Sequence, residues 1–105
     1  MAMAEVNGRG GLFEIAEVLK AMGHPVRLRI MMKLAEKCCC VSEIWDNLQL
    51  PQAVVSQHLK FLKDRGVLEA RREGVKVCYL ITDDMIRDIM TTLGKNVALQ
   101  ETVSV

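Results

Sequence analysis

Long apolar runs are missing from this 105-residue chain, and its longest stretches are a few residues, too short to span a bilayer. The opening, MAMAEVNGRGG, has no hydrophobic region and no cleavage site. No secretory signal is therefore expected, and the cytoplasm is the expected compartment. A charge surplus is also missing, since 14 Lys+Arg stand against 13 Asp+Glu for a net +1. No glycine-rich phosphate loop is present, and no Cys-x-x-Cys lies beside a βαβ pattern, which argues against a thiol oxidoreductase. The two histidines, His24 and His58, have no Ser, Asp or Cys partner at a recognisable spacing. No repeat or low-complexity stretch appears. A chain this short has little room for a deep catalytic cleft, so a binding module is expected ahead of an enzyme.

What is present is globular: half the residues are apolar and 26% are charged, which suits one domain. The near-neutral total hides an asymmetry. Residues 51–76 hold Lys60, Lys63, Arg65, Arg71, Arg72 and Lys76 against Asp64, Glu69 and Glu73, a surplus of three, leaving −2 for the remainder. A basic segment in a neutral protein is either a nucleic-acid footprint or a solvated face, and charge alone does not separate the two.

Residues 1–11 carry three glycines and read as a flexible lead-in. Leu12, Ile15, Ala16 and Leu19 share one helical face and predict a first helix over Leu12–Met22, with Gly23 ending it. His24-Pro25 opens a second helix, with Leu28, Met31, Leu34 and Ala35 as its buried stripe and Arg27, Arg29, Lys33 and Lys37 outward. The run Cys38-Cys39-Cys40-Val41 reads as a brief extended stretch. Ser42 is the expected cap of a third helix, Glu43–Leu48. After Gln49-Leu50, a fourth helix runs from Pro51 through Arg65 on Val55, Leu59 and Leu62, and Gly66 ends it. The period then changes to two. Val67–Arg72 and Lys76–Ile81 read as strands joined by Glu73-Gly74-Val75. Thr82 is the expected cap of a fifth helix carrying Ile86, Ile89, Met90 and Leu93. The tail, 95–105, shows no clear stop.

The order α-α-β-α-α-β-β-α, mainly helical with a small β-hairpin, describes a winged helix-turn-helix over residues 12–94. Such a unit lays its second helix in a DNA major groove. Within this frame, LKAMGHPVRLRIMMKL resembles the opening helices of the arsenic-repressor (ArsR/SmtB) family of bacterial winged-helix regulators. LPQAVVSQHLKFLKDRGVLEARREGVKVCYLI is similar to that family's recognition helix and wing. The resemblance implies a homodimeric repressor, paired through its first and last helices. It would grip an inverted-repeat operator in double-stranded DNA and release it when an effector binds. The positions matching the family's reading helix are Gln52, Ala53, Ser56 and Gln57, with His58 beside them. Gln is suited to adenine, and Ser to a base or a phosphate. Lys60 and Lys63 are placed for phosphates, and Arg71, Arg72 and Lys76 flank the hairpin tip. His58 either joins that surface or packs toward the second helix. Members commonly carry Ser-Gln-Ser where this chain has Pro51-Gln52-Ala53, so Ala53 leaves one hydroxyl fewer for DNA.

Arsenic- and cadmium-responsive members begin the third helix with Cys-x-Cys. Here Cys40 takes the first place and Ser42 the second, so the pair is broken, with Cys38 and Cys39 as substitute thiolates. As(III), Cd(II) and Zn(II) all suit thiolate-rich sites. An extended backbone turns Cys38 and Cys40 to one face and Cys39 to the other, so the three do not converge without rearrangement. Three readings stay open for Cys38, Cys39 and Cys40: a metalloid or metal site, a thiol redox switch, or small buried hydrophobes. Cys78 has no matching ligand position in the family. The final helix, DDMIRDIMTTLG, contains no histidine, so the family's Asp-His-Glu zinc site is not expected. The paired cysteines of persulfide-sensing members are absent, with Met32 in the second-helix place. The methionines and Trp45 read as packing residues. The alternative function is a winged-helix protein-interaction module, or a non-sensing transcription factor whose cysteines are structural.

Overall fold

The computed structural model describes residues 11–37 and 39–97. All of the expected lead-in but Gly11, and most of the tail, lie outside these residues. Among the described residues five helices and three strands follow in the order α1 (Leu12–Met22), α2 (Pro25–Glu36), β1 (Cys39–Cys40), α3 (Val41–Leu48), α4 (Gln52–Asp64), β2 (Glu69–Glu73), β3 (Lys76–Leu80), α5 (Asp84–Gly94). This is the winged helix-turn-helix order. The strands form one antiparallel sheet ordered β1-β3-β2, so the short cysteine strand pairs with the far arm of the hairpin.

The helix ends show which local chemistry prevailed. His24 caps α2 as its Nδ1 accepts the Val26 amide at 3.1 Å, with Pro25 in the first turn. Two expected caps are displaced by one or two residues. Helix α3 begins at Val41, and its N-cap is Cys40 rather than Ser42. Glu43 reaches back to the Cys40 amide at 3.0 Å, so sulfur takes the hydroxyl's place in a capping box. Asp83, not Thr82, caps α5, accepting from the Ile86 amide at 3.0 Å. The Thr82 hydroxyl instead donates to Glu69. The hairpin is also tighter than expected: Glu73 pairs with Lys76, leaving Gly74-Val75 as a two-residue loop. Gly74 has φ +65° and Val75 is not positive, the sign pattern of a II′ turn.

The core gathers Val18, Ala21 and Met22 of α1, Val26, Ile30, Met31 and Leu34 of α2, Ile44 of α3, Val55, Leu59 and Leu62 of α4, and Ile86 and Met90 of α5. The α4 stripe is as the spacing predicts. In α2 the buried line runs through Val26 and Ile30 as well, while Leu28 and Ala35 are half-buried. Arg27 is not outward: it is half-buried, its Nη1 donates to the Ala21 carbonyl at 3.0 Å, and its guanidinium lies 3.9 Å over Phe61. Helix α1 differs most. Its buried side is Glu14, Val18, Ala21 and Met22, while Leu12, Phe13 and Leu19 are exposed.

Glu14 is 1% exposed, and neither carboxylate oxygen has a hydrogen-bond partner. A Cβ at position 11 would meet its Oε1 at 2.9 Å, so Gly11 makes the room it occupies. Burying an unpaired polar group costs about 1–3 kcal/mol. Glu14→Leu is therefore expected to raise the unfolding free energy by about that amount, read as a higher midpoint in thermal melts at fixed protein concentration.

Candidate nucleic-acid interface and the thiols beside it

Helix α3, the turn at Gln49, Leu50 and Pro51, and helix α4 form the helix-turn-helix. Gln49 takes φ 56°, in the left-handed region, and its amide donates to the Trp45 carbonyl, which stops α3 and turns the chain. Pro51 then precedes α4 with no side-chain cap, while its carbonyl accepts from Val54 and Val55. The uncapped amides at this end favour an anion. Because Val55, Leu59 and Leu62 point into the core, the opposite side of α4 carries Gln52, Ala53, Gln57, Lys60 and Lys63, all exposed, with Ser56 half-buried.

Two of the sequence-selected residues are already engaged within the chain. Lys60 pairs with Asp64 one turn on at 2.8 Å, an exposed ion pair that a phosphate would have to displace. His58 turns toward α2: its ring centroid lies 4.7 Å from that of His24, and its Nδ1 accepts from Arg27 Nε at 3.4 Å. Arg65 lies over the same Phe61 ring as Arg27, at 4.2 Å, so this aromatic gathers two cations at the α2–α4 junction. Burial, then the neighbouring His24 and Arg27, hold His58 below its ordinary value of 6.5. A histidine that resists protonation when folded contributes stability above the unfolded value and loses it as pH falls through the folded one. The melting temperature of the protein should fall more steeply below pH 6.5 than that of His58→Gln.

In the wing, every residue of β2, Glu69–Glu73, is exposed, and Lys76 opens β3 in the same condition. Arg71, Arg72 and Lys76 thus stand in solvent around the Gly74-Val75 tip, as the basic pattern suggests. Cys78 of β3 is buried.

At the start of α3, Cys40 is buried and its sulfur lies 3.3 Å from Ser42 Oγ and 3.5 Å from Glu43 Oε1. Hydrogen bonds from Cys40, chiefly its backbone amide, hold the Glu43 carboxyl below the usual range, with Lys37 and Lys76 acting in the same direction. Cys38 lies outside the described residues, as does the side chain of Cys39. Among the described residues no three His, Cys, Asp or Glu side chains gather as a metal site. Sequence reasoning missed the partner of Cys40. The register places it opposite Cys78, 38 positions away, a proximity no spacing announces.

The fold and these exposed surfaces define a winged helix-turn-helix protein. Residues 24–70 match the arsR family of bacterial regulatory proteins. An HTH-type transcriptional regulator of Methanocaldococcus jannaschii is 45% identical over 76 residues, covering 71% of this chain and 85% of that one. The crystal structure of the transcriptional repressor PagR of Bacillus anthracis superposes with a TM-score of 0.74 at 38% identity, covering 78% of this chain and 94% of PagR. The homodimeric winged helix-turn-helix domain of a possible ArsR-family regulator from Mycobacterium bovis superposes with a TM-score of 0.73 at 29% identity, over 81% of this chain and 79% of that domain. The chain belongs to the ArsR/SmtB family of transcriptional regulators. Among the described residues no helix is long and apolar enough to cross a membrane.

Proposed function

We propose that this protein is a dimeric, cytoplasmic repressor that reads an inverted-repeat operator with α4 and the wing, and lets go when a thiol-reactive effector is captured at Cys38–Cys40. The observation that carries the DNA reading is the sidedness of α4. Its apolar stripe is fully buried, so Gln52, Ala53, Ser56 and Gln57 are turned away from the core, next to an uncapped helix start. Gln52 and Gln57 take the base edges. Ser56 takes a base or a phosphate, while Lys60, Lys63, Arg71, Arg72 and Lys76 take the backbone. His58 supports this surface from behind, holding α4 against α2.

Dimerisation is supported by the exposed apolar side of α1, where Leu12 is 84% and Phe13 58% accessible. Ile89 and Leu93 of α5 pack against the core but stay half-exposed, adding apolar surface on the last helix. Two copies joined through these helices would set their α4 helices about one DNA turn apart, roughly 34 Å. The effector reading rests on where Cys40 sits. It caps the first helix of the helix-turn-helix, so a thiolate drawn to As(III), Cd(II) or Zn(II), or oxidised, loosens the start of α3, which packs on α4. Cys40 is the one member of the triplet whose sulfur is described, and its surroundings, a second thiol opposite and a carboxylate at hand, are donors of the kind these ions take.

Fluorescence anisotropy on a duplex from the protein's own promoter tests the DNA reading. Sequence-specific binding that falls steeply with salt is expected. Binding indifferent to both sequence and salt would assign the fold to protein interaction instead. For the sensor, Cys40→Ser should stay on DNA at arsenite, cadmium or peroxide concentrations that release the parent protein. Equal release of both discards the sensor.

A further inference from the structure

The antiparallel pairing of β1 with β3 sets Cys40 opposite Cys78. The hydrogen-bonding phase of that pair follows from the hairpin. Glu73 and Lys76 close the two-residue loop and exchange both backbone hydrogen bonds. Pairs alternate from there, so Arg71 and Cys78 are again a hydrogen-bonded pair, and the N–H and C=O of Cys78 point toward β2. Toward β1 those groups are turned away. Cys40 and Cys78 are therefore a non-hydrogen-bonded pair, the kind with Cα atoms about 4.5 Å apart and side chains in closest approach. Disulfides span Cα separations of about 4.4–6.8 Å. As directly opposed residues both side chains lie on the same face of the sheet, at 7% and 9% exposure. Each sulfur also meets a carboxylate, Cys40 with Glu43 at 3.5 Å and Cys78 with Glu73 at 3.7 Å.

We infer that Cys40 and Cys78 form an intramolecular oxidation site, closed to a cross-strand disulfide by a small peroxide. One sulfur attacks the peroxide, the O–O bond breaks, and a sulfenic acid and one water result. The second sulfur displaces the hydroxyl as a second water. The two thiols together lose two electrons and two protons, and hydrogen peroxide takes both up as it becomes two waters. Access comes from the shortness of β1, a two-residue strand whose local opening uncovers both sulfurs without disturbing the helical core. The bond would tie the start of α3 to the strand next to Arg71, joining the helix-turn-helix to the wing. This deepens the sensing reading above by naming Cys78, rather than a neighbour in the triplet, as the partner of Cys40. A bond between adjacent cysteines is strained, which favours the cross-strand one.

The test is read on the protein alone, so it stands apart from any result with DNA. Full-length protein is treated with hydrogen peroxide, blocked with iodoacetamide and digested with trypsin without reductant. Cys78 lies in the fragment 77–87 and all three triplet cysteines in 38–60. A linked 38–60/77–87 species is expected, with alkylation of Cys78 reduced at least fivefold and restored by dithiothreitol. The link should persist in Cys38→Ser/Cys39→Ser and vanish in Cys40→Ser, where serine remains a competent helix cap. A link surviving Cys40→Ser, or a Cys78 still fully alkylated in the parent after peroxide, overturns the proposal.

Discussion

Leu59→Ala is expected to cost about 2–5 kcal/mol of unfolding free energy, the range for emptying a buried leucine site. Leu59 has no exposed surface and lies mid-helix in α4, the helix that touches α1, α2 and α3. Three helices pack on α4, and a fully buried site among them has little freedom to collapse, which argues for the upper part of the range. A domain of this size has about 5–15 kcal/mol in all. One substitution would therefore remove a large share, lowering the melting temperature by roughly 8–40 °C at about 4–8 °C per kcal/mol. Gln57→Ala, two residues earlier on the exposed face, is the control and should stay within about 0.5 kcal/mol. Calorimetry at one protein concentration measures both, since a dimer's melting point moves with concentration. A Leu59→Ala protein as stable as the Gln57→Ala control would mean that α4 is not held by its apolar stripe. Its outward face would then have no fixed orientation from which to read DNA.

The contrast between those two positions also shows what was legible in the sequence. Val55, Leu59 and Leu62 recur at helical spacing, and nothing else competes for them, so the buried and the exposed sides of α4 follow from period alone. The hairpin was legible for the same reason, because Gly74 supplies the positive φ its turn needs. Helix α1 was not. Leu12, Ile15, Ala16 and Leu19 make the more regular apolar face, yet the monomer buries the side holding Glu14 and Val18. A period shows that a face is apolar, but not whether it meets its own core or a second chain. Caps were off by one or two residues because Ser42 and Thr82 are good capping types standing beside Cys40 and Asp83, whose geometry decided the matter. Arg27 was expected in solvent, but the carbonyl of Ala21 and the ring of Phe61 are offers that no window of local sequence displays. The thiol pair is the extreme case: 38 positions separate Cys40 from Cys78, and only strand register joins them.

Replacing Gln57 with alanine and replacing Arg71 together with Arg72 should both weaken operator binding, in ways that a salt titration separates. Gln57 is exposed on a helix whose opposite face is fixed in the core, so in the proposed reading its amide meets a base edge from a rigid support. A bidentate glutamine–adenine pair is worth about 1–3 kcal/mol of discrimination. With one copy in each half-site, Gln57→Ala should lower affinity for the operator by about 2–6 kcal/mol while leaving binding to unrelated duplex nearly unchanged. Its salt dependence should match that of the parent, since every phosphate keeps its cationic partner. Arg71 and Arg72 sit on the exposed β2 arm of the wing, and in the proposed reading they act through charge. Removing both should weaken operator and unrelated duplex alike. It should also flatten the slope of log affinity against log salt by about 0.9 for each phosphate no longer neutralised, roughly 3–4 across a dimer. Anisotropy titrations on two duplexes at four salt concentrations resolve the pattern. If Gln57→Ala flattens the salt slope, or the arginine variant loses operator preference with its slope intact, the roles of helix and wing are reversed. If neither substitution changes anything, double-stranded DNA is not what this surface meets.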